Sequence, residues 1–235
     1  MDKKLDFTVD NLTDQHKKEM EKHGNFSQDT IKEHYDDLCN NYEDIYLRAG
    51  FHDPKKCAEL TNELFEMASK PKEEIEVLDM GCGTGLVGKY LHEMGFKKIV
   101  GLDASKGMLD ECEKSKPGVH TELVELFLGK PESYPERLHN KFDFITASGI
   151  LADNHLDTSV FEEMLLSLKK GGVAVFATRT EYLTKYAYGP YMKKLEEEGK
   201  WKFVKEVTFA RYDQLEEVVG RFSKTEAKAF AYVKL

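Results

Sequence analysis

The chain has 235 residues and a formal net charge of −9. The length suits one α/β domain with added segments, and the acidic balance disfavours non-specific binding to nucleic acid, because an acidic surface repels phosphate. Four cysteines without a CxxC pair, a charged N-terminus and no apolar run near the roughly 20 residues of a membrane span predict a protein of the cytoplasm or nucleus.

Residues 1–70 are predicted to form a helical cap. A short helix is expected after Thr13, and apolar residues at three- and four-residue spacing predict one amphipathic helix over residues 30–50. Asp53-Pro54 predicts the start of a further helix, and Lys70-Pro71-Lys72 predicts its end.

Residues 71–235 are predicted to form the main domain, with the whole chain folding as one structural domain. Predicted strands cover residues 75–80, 99–102, 121–128, 142–147, 173–178, 203–209 and 228–234, and predicted helices cover residues 86–94, 106–114, 160–168 and 186–198. This alternation predicts an α/β fold, a doubly wound, Rossmann-like, mostly parallel seven-stranded sheet with helices on both faces. The last two strands alternate in polarity, so we expect an antiparallel last strand.

The stretch Val77-Leu78-Asp79-Met80-Gly81-Cys82-Gly83-Thr84-Gly85 joins the first strand to a helix through three closely spaced glycines. The second strand then ends in Asp103. Because open α/β sheets bind ligands at the carboxyl ends of their strands, we expect a nucleotide-type ligand between this glycine turn and Asp103.

Other ligands of such turns fit less well. The dinucleotide fingerprint G-x-G-x-x-G needs a glycine where this chain has Leu86. A phosphate-loop pattern runs from Gly83 to Lys89, but Tyr90 replaces the magnesium-binding Ser or Thr, and Gly88-Lys89 belongs to the following helix. A short-chain oxidoreductase would need a Tyr-x-x-x-Lys motif after the fourth strand, and the sequence has none.

S-adenosylmethionine fits this pattern because it carries no phosphate. A glycine turn lets the backbone approach the methionyl tail closely. Asp79 can accept a hydrogen bond from the ammonium group, directly or through water, and Asp103 can accept from both ribose hydroxyls. The residues therefore favour S-adenosylmethionine as cofactor, with S-adenosylhomocysteine as product.

Three segments carry a resemblance to a known family. Leu78–Gly85 resembles motif I of class I S-adenosylmethionine-dependent methyltransferases, Gly101–Leu109 resembles the segment that follows it, and Lys170–Val173 resembles the turn into the fifth strand. A narrower resemblance, to the methyltransferase-like subfamily of the Williams–Beuren region, rests on Cys82–Val87, Asp103–Leu109 and Thr178–Thr180. The resemblance extends over residues 30–235 and implies a monomeric methyltransferase.

The resemblance also implies cofactor contacts at the cap, at the glycine turn, at the acidic residue that ends the second strand, and at the ends of the third and fourth strands. These residues are Tyr35, Asp79, Gly81, Cys82, Gly83, Gly85, Asp103, Ala104, Met108, Leu128, Gly129 and Ser148. In the resembling families a helix with Tyr-Asp and a second Tyr folds over the cofactor as a lid, which Tyr35-Asp36 and Tyr42-Glu43 match. If the reaction needs a base, His155 or Tyr42 is the candidate, and no other catalytic residue is assigned.

The sequence departs from the family pattern in three places. Leu128-Gly129-Lys130 stands where many members place an adenine-binding Asp, so adenine is expected to be held by backbone groups and apolar packing. Ser148-Gly149-Ile150-Leu151 replaces the N-P-P-Y motif, which argues against methylation of base amines or side-chain amides. Metal-binding acids are missing after the fourth and fifth strands, so no metal is predicted.

Two functions stay open at this point. The first is methyl transfer to a small-molecule nucleophile, with a protein acceptor also possible and nucleic acid and membranes not expected as partners. The second is a methyltransferase-fold module that binds the cofactor as a partner subunit or sensor without turnover.

Overall fold

The computed structural model describes residues 12–22, 26–27 and 30–235, which are built around a seven-stranded sheet. The strands are β1 (Glu76–Met80), β2 (Lys98–Asp103), β3 (Glu122–Glu125), β4 (Phe142–Leu151), β5 (Leu168–Arg179), β6 (Trp201–Arg211) and β7 (Thr225–Lys234). The helices are α1 (Asp14–Lys22), α2 (Ile31–Leu38), α3 (Tyr42–Arg48), α4 (Asp53–Glu63), α5 (Leu86–Glu93), α6 (Lys106–Ser115), α7 (Val160–Ser167), α8 (Tyr182–Lys185) and α9 (Tyr188–Glu197).

The order of strands in the sheet is β3-β2-β1-β4-β5-β7-β6. The first five of these pair in parallel, whereas β7 runs antiparallel to both β5 and β6. The predicted mostly parallel sheet with an antiparallel last strand is confirmed. The strand order reverses between β1 and β4, so their carboxyl ends open the crevice in which doubly wound sheets bind ligands.

Helices cover both faces of the sheet. Successive strand residues point to opposite faces, so Val77 and Leu78 belong to different cores. Leu78 shares its core with residues of α7 and α9, whereas Val77 packs with residues of α4 and α5. The central strands are buried on both sides, as the unbroken apolar run of β4 predicted.

The first three helices pack separately from the sheet. Leu38, Ile45 and Tyr46 form a third core with residues of the segment 212–222, which links β6 to β7. Helix α4 instead contributes Cys57 to the sheet core. The predicted boundary at residue 70 stays a prediction, and this packing supports a cap that ends before α4.

Several element boundaries differ from the predictions. The single helix expected over residues 30–50 is broken, since α2 ends at Leu38 and α3 begins at Tyr42, with Asn41 N–H bonded to the Leu38 carbonyl at 2.9 Å. Asn40 and Asn41 favour turns because their side chains compete for backbone hydrogen bonds. The helix expected over 186–198 begins again at Tyr188 after Ala187, which has φ +57°.

Other elements are longer or shorter than expected. Strand β4 runs four residues past Ala147 and β5 begins at Leu168, whereas β3 is confined to Glu122–Glu125. Helix α4 ends at Glu63 and is followed by a short 3₁₀ helix, Phe65–Ala68. Within the described ranges, no helix has the length and apolar character that crossing a bilayer requires.

Candidate active site

The turn after β1 is shaped by its glycines. Gly81 has φ +68°, and a Cβ atom there would lie 2.1 Å from Ile150 Cγ2. Glycine therefore lets the turn lie directly against the segment that ends β4. Gly83 donates its N–H to the Asp103 carboxylate at 2.8 Å, which ties this turn to the end of β2.

Asp103 stands at the carboxyl end of β2 with both carboxylate oxygens engaged. Oδ1 accepts from the Ser105 N–H at 2.9 Å, and Oδ2 accepts from that of Gly83. Burial outweighs these hydrogen bonds and raises the pKa of Asp103 to about 6. Each carboxylate oxygen has a second lone pair, so Asp103 can still accept from two hydroxyl groups.

A cavity at this edge encloses about 730 Å³ of atom-free space, its open mouth included. Its walls come from the segments that follow β1, β2, β3 and β4, and α2 contributes Ile31, Lys32 and Tyr35. The side chains of Met108, Leu126 and Leu128 are among its apolar lining.

Eight of the twelve predicted cofactor residues line this cavity together with both candidate bases. The eight are Tyr35, Gly81, Gly83, Asp103, Ala104, Met108, Leu128 and Ser148, and the candidate bases are His155 and Tyr42. Their roles remain predictions, but the fold brings them to one place.

Asp79 and Gly129 lie outside this lining. Asp79 is fully buried, and its Oδ1 accepts from the Thr146 hydroxyl at 2.9 Å while Oδ2 is 3.9 Å from His120 Nε2. Gly129 donates its N–H to the Glu163 carboxylate at 2.8–2.9 Å. Asp79 thus bonds to Thr146 of the neighbouring strand β4, and Gly129 bonds to Glu163 of α7.

Cys82 and Gly85 also lie outside the lining. Burial raises the pKa of the Cys82 thiol well above its ordinary value, so the thiol is unreactive. Gly85 precedes α5 with φ +87°, and a Cβ atom there would lie 2.5 Å from Cys112 Sγ. Gly85 therefore serves the close packing of α5 against α6.

His155 is held in one tautomer by its two hydrogen bonds. Its Nδ1 is 2.7 Å from the Asp153 carbonyl oxygen, which can only accept, so Nδ1 carries the proton. Nε2 is then an acceptor and lies 2.8 Å from the Tyr35 hydroxyl, which donates. Burial lowers the pKa of His155 to about 4, so the ring is neutral at pH 7.

Tyr42 does not have the electrostatics of a base. Its ring stacks on that of Tyr46 with centroids 4.6 Å apart. Burial raises the pKa of Tyr42 well above its ordinary value of 10.0, which keeps the phenol protonated. Of the two candidates, His155 alone has an unprotonated basic nitrogen at neutral pH.

A second cavity adjoins the first. The two share Tyr35, Tyr42, Gly149 and His155. Three arginines line the second cavity, one from the end of β5, one from the end of β6 and one from the following segment: Arg179, Arg211 and Arg221. Around them are aromatic side chains from the cap and from the segment 212–222, namely Tyr46, Phe51, Tyr212 and Phe222.

The donor set fits S-adenosylmethionine and gives no sign of a metal centre. Ser148 Oγ is buried and unpartnered within the described part of the chain, and Ser148 lines the first cavity, where a ligand group could satisfy it. Among residues 12–22, 26–27 and 30–235, no three His, Cys, Asp or Glu side chains are grouped to hold a metal ion. The prediction of no metal stays a prediction.

The sequence did not identify several lining residues. The first cavity also takes Ile31, Lys32, Ser105, Leu126, Phe127, Gly149, Ile150 and Leu156, and the second takes all three arginines. Most of these are neighbours of predicted residues in the chain. One sequence pattern could have drawn attention to two of the arginines. Arg211-Tyr212 and Arg221-Phe222 each place a cation next to an aromatic residue after the last predicted helix.

Comparison with known proteins agrees with this geometry. Residues 77–172 match the family described as "Methyltransferase domain". The chain is 32% identical over 136 residues to human "Methyltransferase-like protein 27", covering 56% of this chain and 53% of that protein. It is 32% identical over 124 residues to the "Ubiquinone biosynthesis O-methyltransferase" of Pelagibacter ubique, covering 52% and 49%. The chain thus spans about half the length of these curated relatives.

A solved structure supports the fold. The S-adenosylmethionine-dependent methyltransferase of Clostridium acetobutylicum superposes with a TM-score of 0.55 at 17% identity, over 83% of this chain and 97% of that chain. Together with the family match, this confirms the resemblance, the Rossmann-like fold and the cofactor class that the sequence predicted.

Proposed function

We propose that this chain, which carries a class I S-adenosylmethionine-dependent methyltransferase domain, transfers a methyl group to a small-molecule nucleophile. One observation carries the proposal. The cavity that holds the glycine turn and Asp103 shares the wall residues Tyr35 and His155 with a second cavity of different chemistry. Two adjoining cavities of this kind suit a cofactor and an acceptor.

The chain's own residues would bind and orient the cofactor. Asp103 would accept from the ribose hydroxyls, and Met108 and Leu128 would pack against adenine, for which no acid is available after β3. When bound there, S-adenosylmethionine would supply the methyl group that the acceptor takes up and would be left as S-adenosylhomocysteine. The remaining tasks of the protein are to align the acceptor and exclude water.

His155 is placed to take a proton where the acceptor has one to lose. Its Nε2 lone pair faces the junction of the two cavities and is held by the Tyr35 hydroxyl. An acceptor hydroxyl or ammonium that replaced Tyr35 there could pass its proton to Nε2. A pKa near 4 makes His155 a weak base, so alignment rather than proton removal would supply most of the rate.

The position of the cavities supports a small acceptor. Both lie under α2 and α3, which contribute Tyr35, Tyr42 and Tyr46 to their walls. The names of the curated relatives differ in what they act on, so a protein acceptor stays an alternative. We expect the protein to act as a monomer, as the sequence resemblance implies.

Two measurements test the proposal. Calorimetry should show binding of S-adenosylmethionine and S-adenosylhomocysteine but not of NAD or ATP. Incubation with methyl-labelled S-adenosylmethionine and a metabolite extract should then yield a labelled small molecule. Tighter binding of NAD or ATP would overturn the assignment, whereas cofactor binding without transfer to any metabolite or protein fraction would favour the sensor or partner-subunit alternative.

A further inference from the structure

The second cavity concentrates positive charge within an acidic protein. Arg179 is 7% exposed and Arg211 is 4% exposed, and both are buried beneath the cap with their guanidinium groups among aromatic rings. Of the described residues, one carboxylate, that of Asp153, lines the same cavity. That carboxylate already accepts from the Tyr182 hydroxyl at 2.5 Å and from Lys185 Nζ at 2.6 Å.

The guanidinium groups lie close to aromatic rings. The Arg211 group lies 4.8 Å from the centre of the Phe51 ring and 5.0 Å from that of Tyr212. The Arg221 group lies 4.6 Å from the ring of Phe26 and 5.3 Å from that of Phe222. A guanidinium group is attracted by the rings around it and can still donate N–H bonds to an anion.

The charges on these arginines are only partly balanced within the described chain. Arg211 Nη1 is 3.4 Å from the buried Asp53 carboxylate, but its Nε has no hydrogen-bond partner among the described residues. Arg179 Nη1 contacts Glu181 at 3.2 Å, and Glu181 is largely exposed. A buried N–H of a charged group without a partner is costly, and it points to a ligand that supplies one.

The backbone at this cavity is also strained. Tyr212 has φ +57°, a region that bulky residues seldom adopt, and its ring is buried between Phe51 and Phe222. Strained residues of this kind persist when the surrounding structure holds them in place. The ring of Tyr212 lies beside the guanidinium groups of Arg179 and Arg211.

We propose that this arginine-lined cavity binds an oxyanion of the methyl acceptor, so that the substrate is a small organic acid, a carboxylate or a phosphate ester. The inference rests on the proposed function and extends it. With the anion on Arg179, Arg211 and Arg221, the rest of the acceptor reaches toward Tyr35 and His155, where the two cavities meet. Arginine suits this task because its planar fork donates two parallel hydrogen bonds to a carboxylate or phosphate.

A binding experiment with simple probes tests the proposal. The probes are acetate, inorganic phosphate, benzoate and phenyl phosphate, and benzamide is the neutral counterpart of benzoate. Calorimetry and ligand-observed NMR are run on the full chain with and without S-adenosylhomocysteine. We expect at least one anionic probe to bind at least tenfold more tightly than benzamide, and the preference between carboxylate and phosphate probes identifies the anion.

Arginine variants locate the binding. Arg221→Gln and Arg179→Gln should each weaken the anionic probe at least tenfold and change the affinity for S-adenosylhomocysteine by less than twofold. Arg137→Gln, at an exposed arginine paired with Glu122, is the matched control and should change neither. Arg211→Gln is avoided because it would leave Asp53 buried without its partner.

The outcomes separate this inference from the proposed function. If no anionic probe binds, or if benzamide binds as tightly as benzoate, the inference is overturned, and binding of S-adenosylhomocysteine keeps the proposed function. If the arginine variants weaken S-adenosylhomocysteine as much as the probe, the cavity holds the carboxylate of the cofactor and the inference is overturned. Probe binding with no binding of S-adenosylhomocysteine would keep the anion site and overturn the proposed function.

Discussion

The Asp36 carboxylate accepts a hydrogen bond from the Ser105 hydroxyl at 2.6 Å, which joins the cap helix α2 to the start of α6. The same Asp36 oxygen accepts from the Gly107 N–H at 2.8 Å, and Ser105 Oγ accepts from the Met108 N–H at 3.0 Å. A carboxylate at a helix N-terminus is favoured by the helix dipole. Because Ser105 and Met108 also line the first cavity, cap closure and cofactor binding share these contacts.

Loss of Asp36 should therefore open the cap. Asp36→Ala removes two hydrogen bonds to a charged acceptor, each worth roughly 1.5–3 kcal/mol. Part of this free energy stabilises the cap and part stabilises the bound ligand, so we expect about tenfold weaker binding of S-adenosylhomocysteine. Hydrogen exchange in α2 should rise. Asp37→Ala, at an exposed position of the same helix, is the control and should leave both unchanged.

The cap should also gain order when the cofactor binds. We expect amide protection over residues 1–47 to increase when S-adenosylhomocysteine is added, because the ligand gives the Tyr35 and Tyr42 face something to cover. Residues 1–11, 23–25 and 28–29 lie outside the described residues, so for them this remains a prediction from the sequence. Equal hydrogen exchange with and without ligand would argue against a lid.

Cofactor affinity should depend on pH through Asp103. Its pKa of about 6 means that the free protein is mostly protonated there at pH 5, while the ionised form is the better acceptor for ribose hydroxyls. If only the ionised form binds, affinity for S-adenosylhomocysteine falls about tenfold from pH 7 to pH 5. The measurement is calorimetry across this range, in buffers matched for ionic strength.

Asp103 variants check that assignment. Asp103→Ala should weaken binding by roughly 2–4 kcal/mol at pH 7 and remove the pH dependence, since two bonds to a charged acceptor are lost. Asp103→Asn should retain part of the affinity. Unchanged affinity in Asp103→Ala would mean that the ribose lies elsewhere.

The fold and most residues of the cofactor cavity could be predicted from the sequence, because the patterns that indicate them lie within short segments of the chain. The apolar run of β4 marks a strand buried on both faces, and Asp79, next to the last residue of β1, and Asp103, the last residue of β2, stand close to the glycine turn in the sequence. The break at Asn40-Asn41 was missed because the apolar spacing continues across it. Asparagine is a weak helix former, and two in succession favour a turn that apolar spacing does not reveal.

The arginine cluster could not be predicted because it depends on pairing in the sheet. Arg179 pairs with Ala227 and Arg211 with Thr225, both on β7, so two arginines far apart in the chain reach the same edge. Arg221 joins them only because the segment 212–222 folds back onto the cap. The spacing of apolar residues within one helix or strand does not indicate which residues of other elements it will contact.

A methyl group at Gly81 should damage the glycine turn. Gly81→Ala combines a left-handed φ with a Cβ atom 2.1 Å from Ile150 Cγ2, so the turn or the end of β4 must move. We expect at least tenfold weaker binding of S-adenosylhomocysteine and a lower melting temperature. Gly118→Ala, with φ +75° and open space around the new atom, is the control and should cost only about 1 kcal/mol of stability.

A double variant distinguishes the two causes of weaker binding, namely the clash with Ile150 and the left-handed backbone at residue 81. Ile150→Ala removes Cγ2, so the double variant Gly81→Ala/Ile150→Ala should bind more tightly than Gly81→Ala alone. If the double variant is no better, backbone strain alone explains the loss.

The chemistry itself should not depend on a single side chain or on a metal. Once an acceptor is found, His155→Ala and Tyr42→Phe should each keep measurable turnover, with losses of roughly tenfold to a thousandfold at most, because alignment supplies the rate. EDTA should have no effect.

With saturating cofactor, kcat should stay level between pH 6 and pH 8, since His155 with a pKa of about 4 takes up a proton only well below this range. His92→Ala, outside both cavities, is the control. Abolition of turnover by EDTA, or by His155→Ala with binding of S-adenosylhomocysteine intact, would replace this mechanism with metal or obligatory base catalysis.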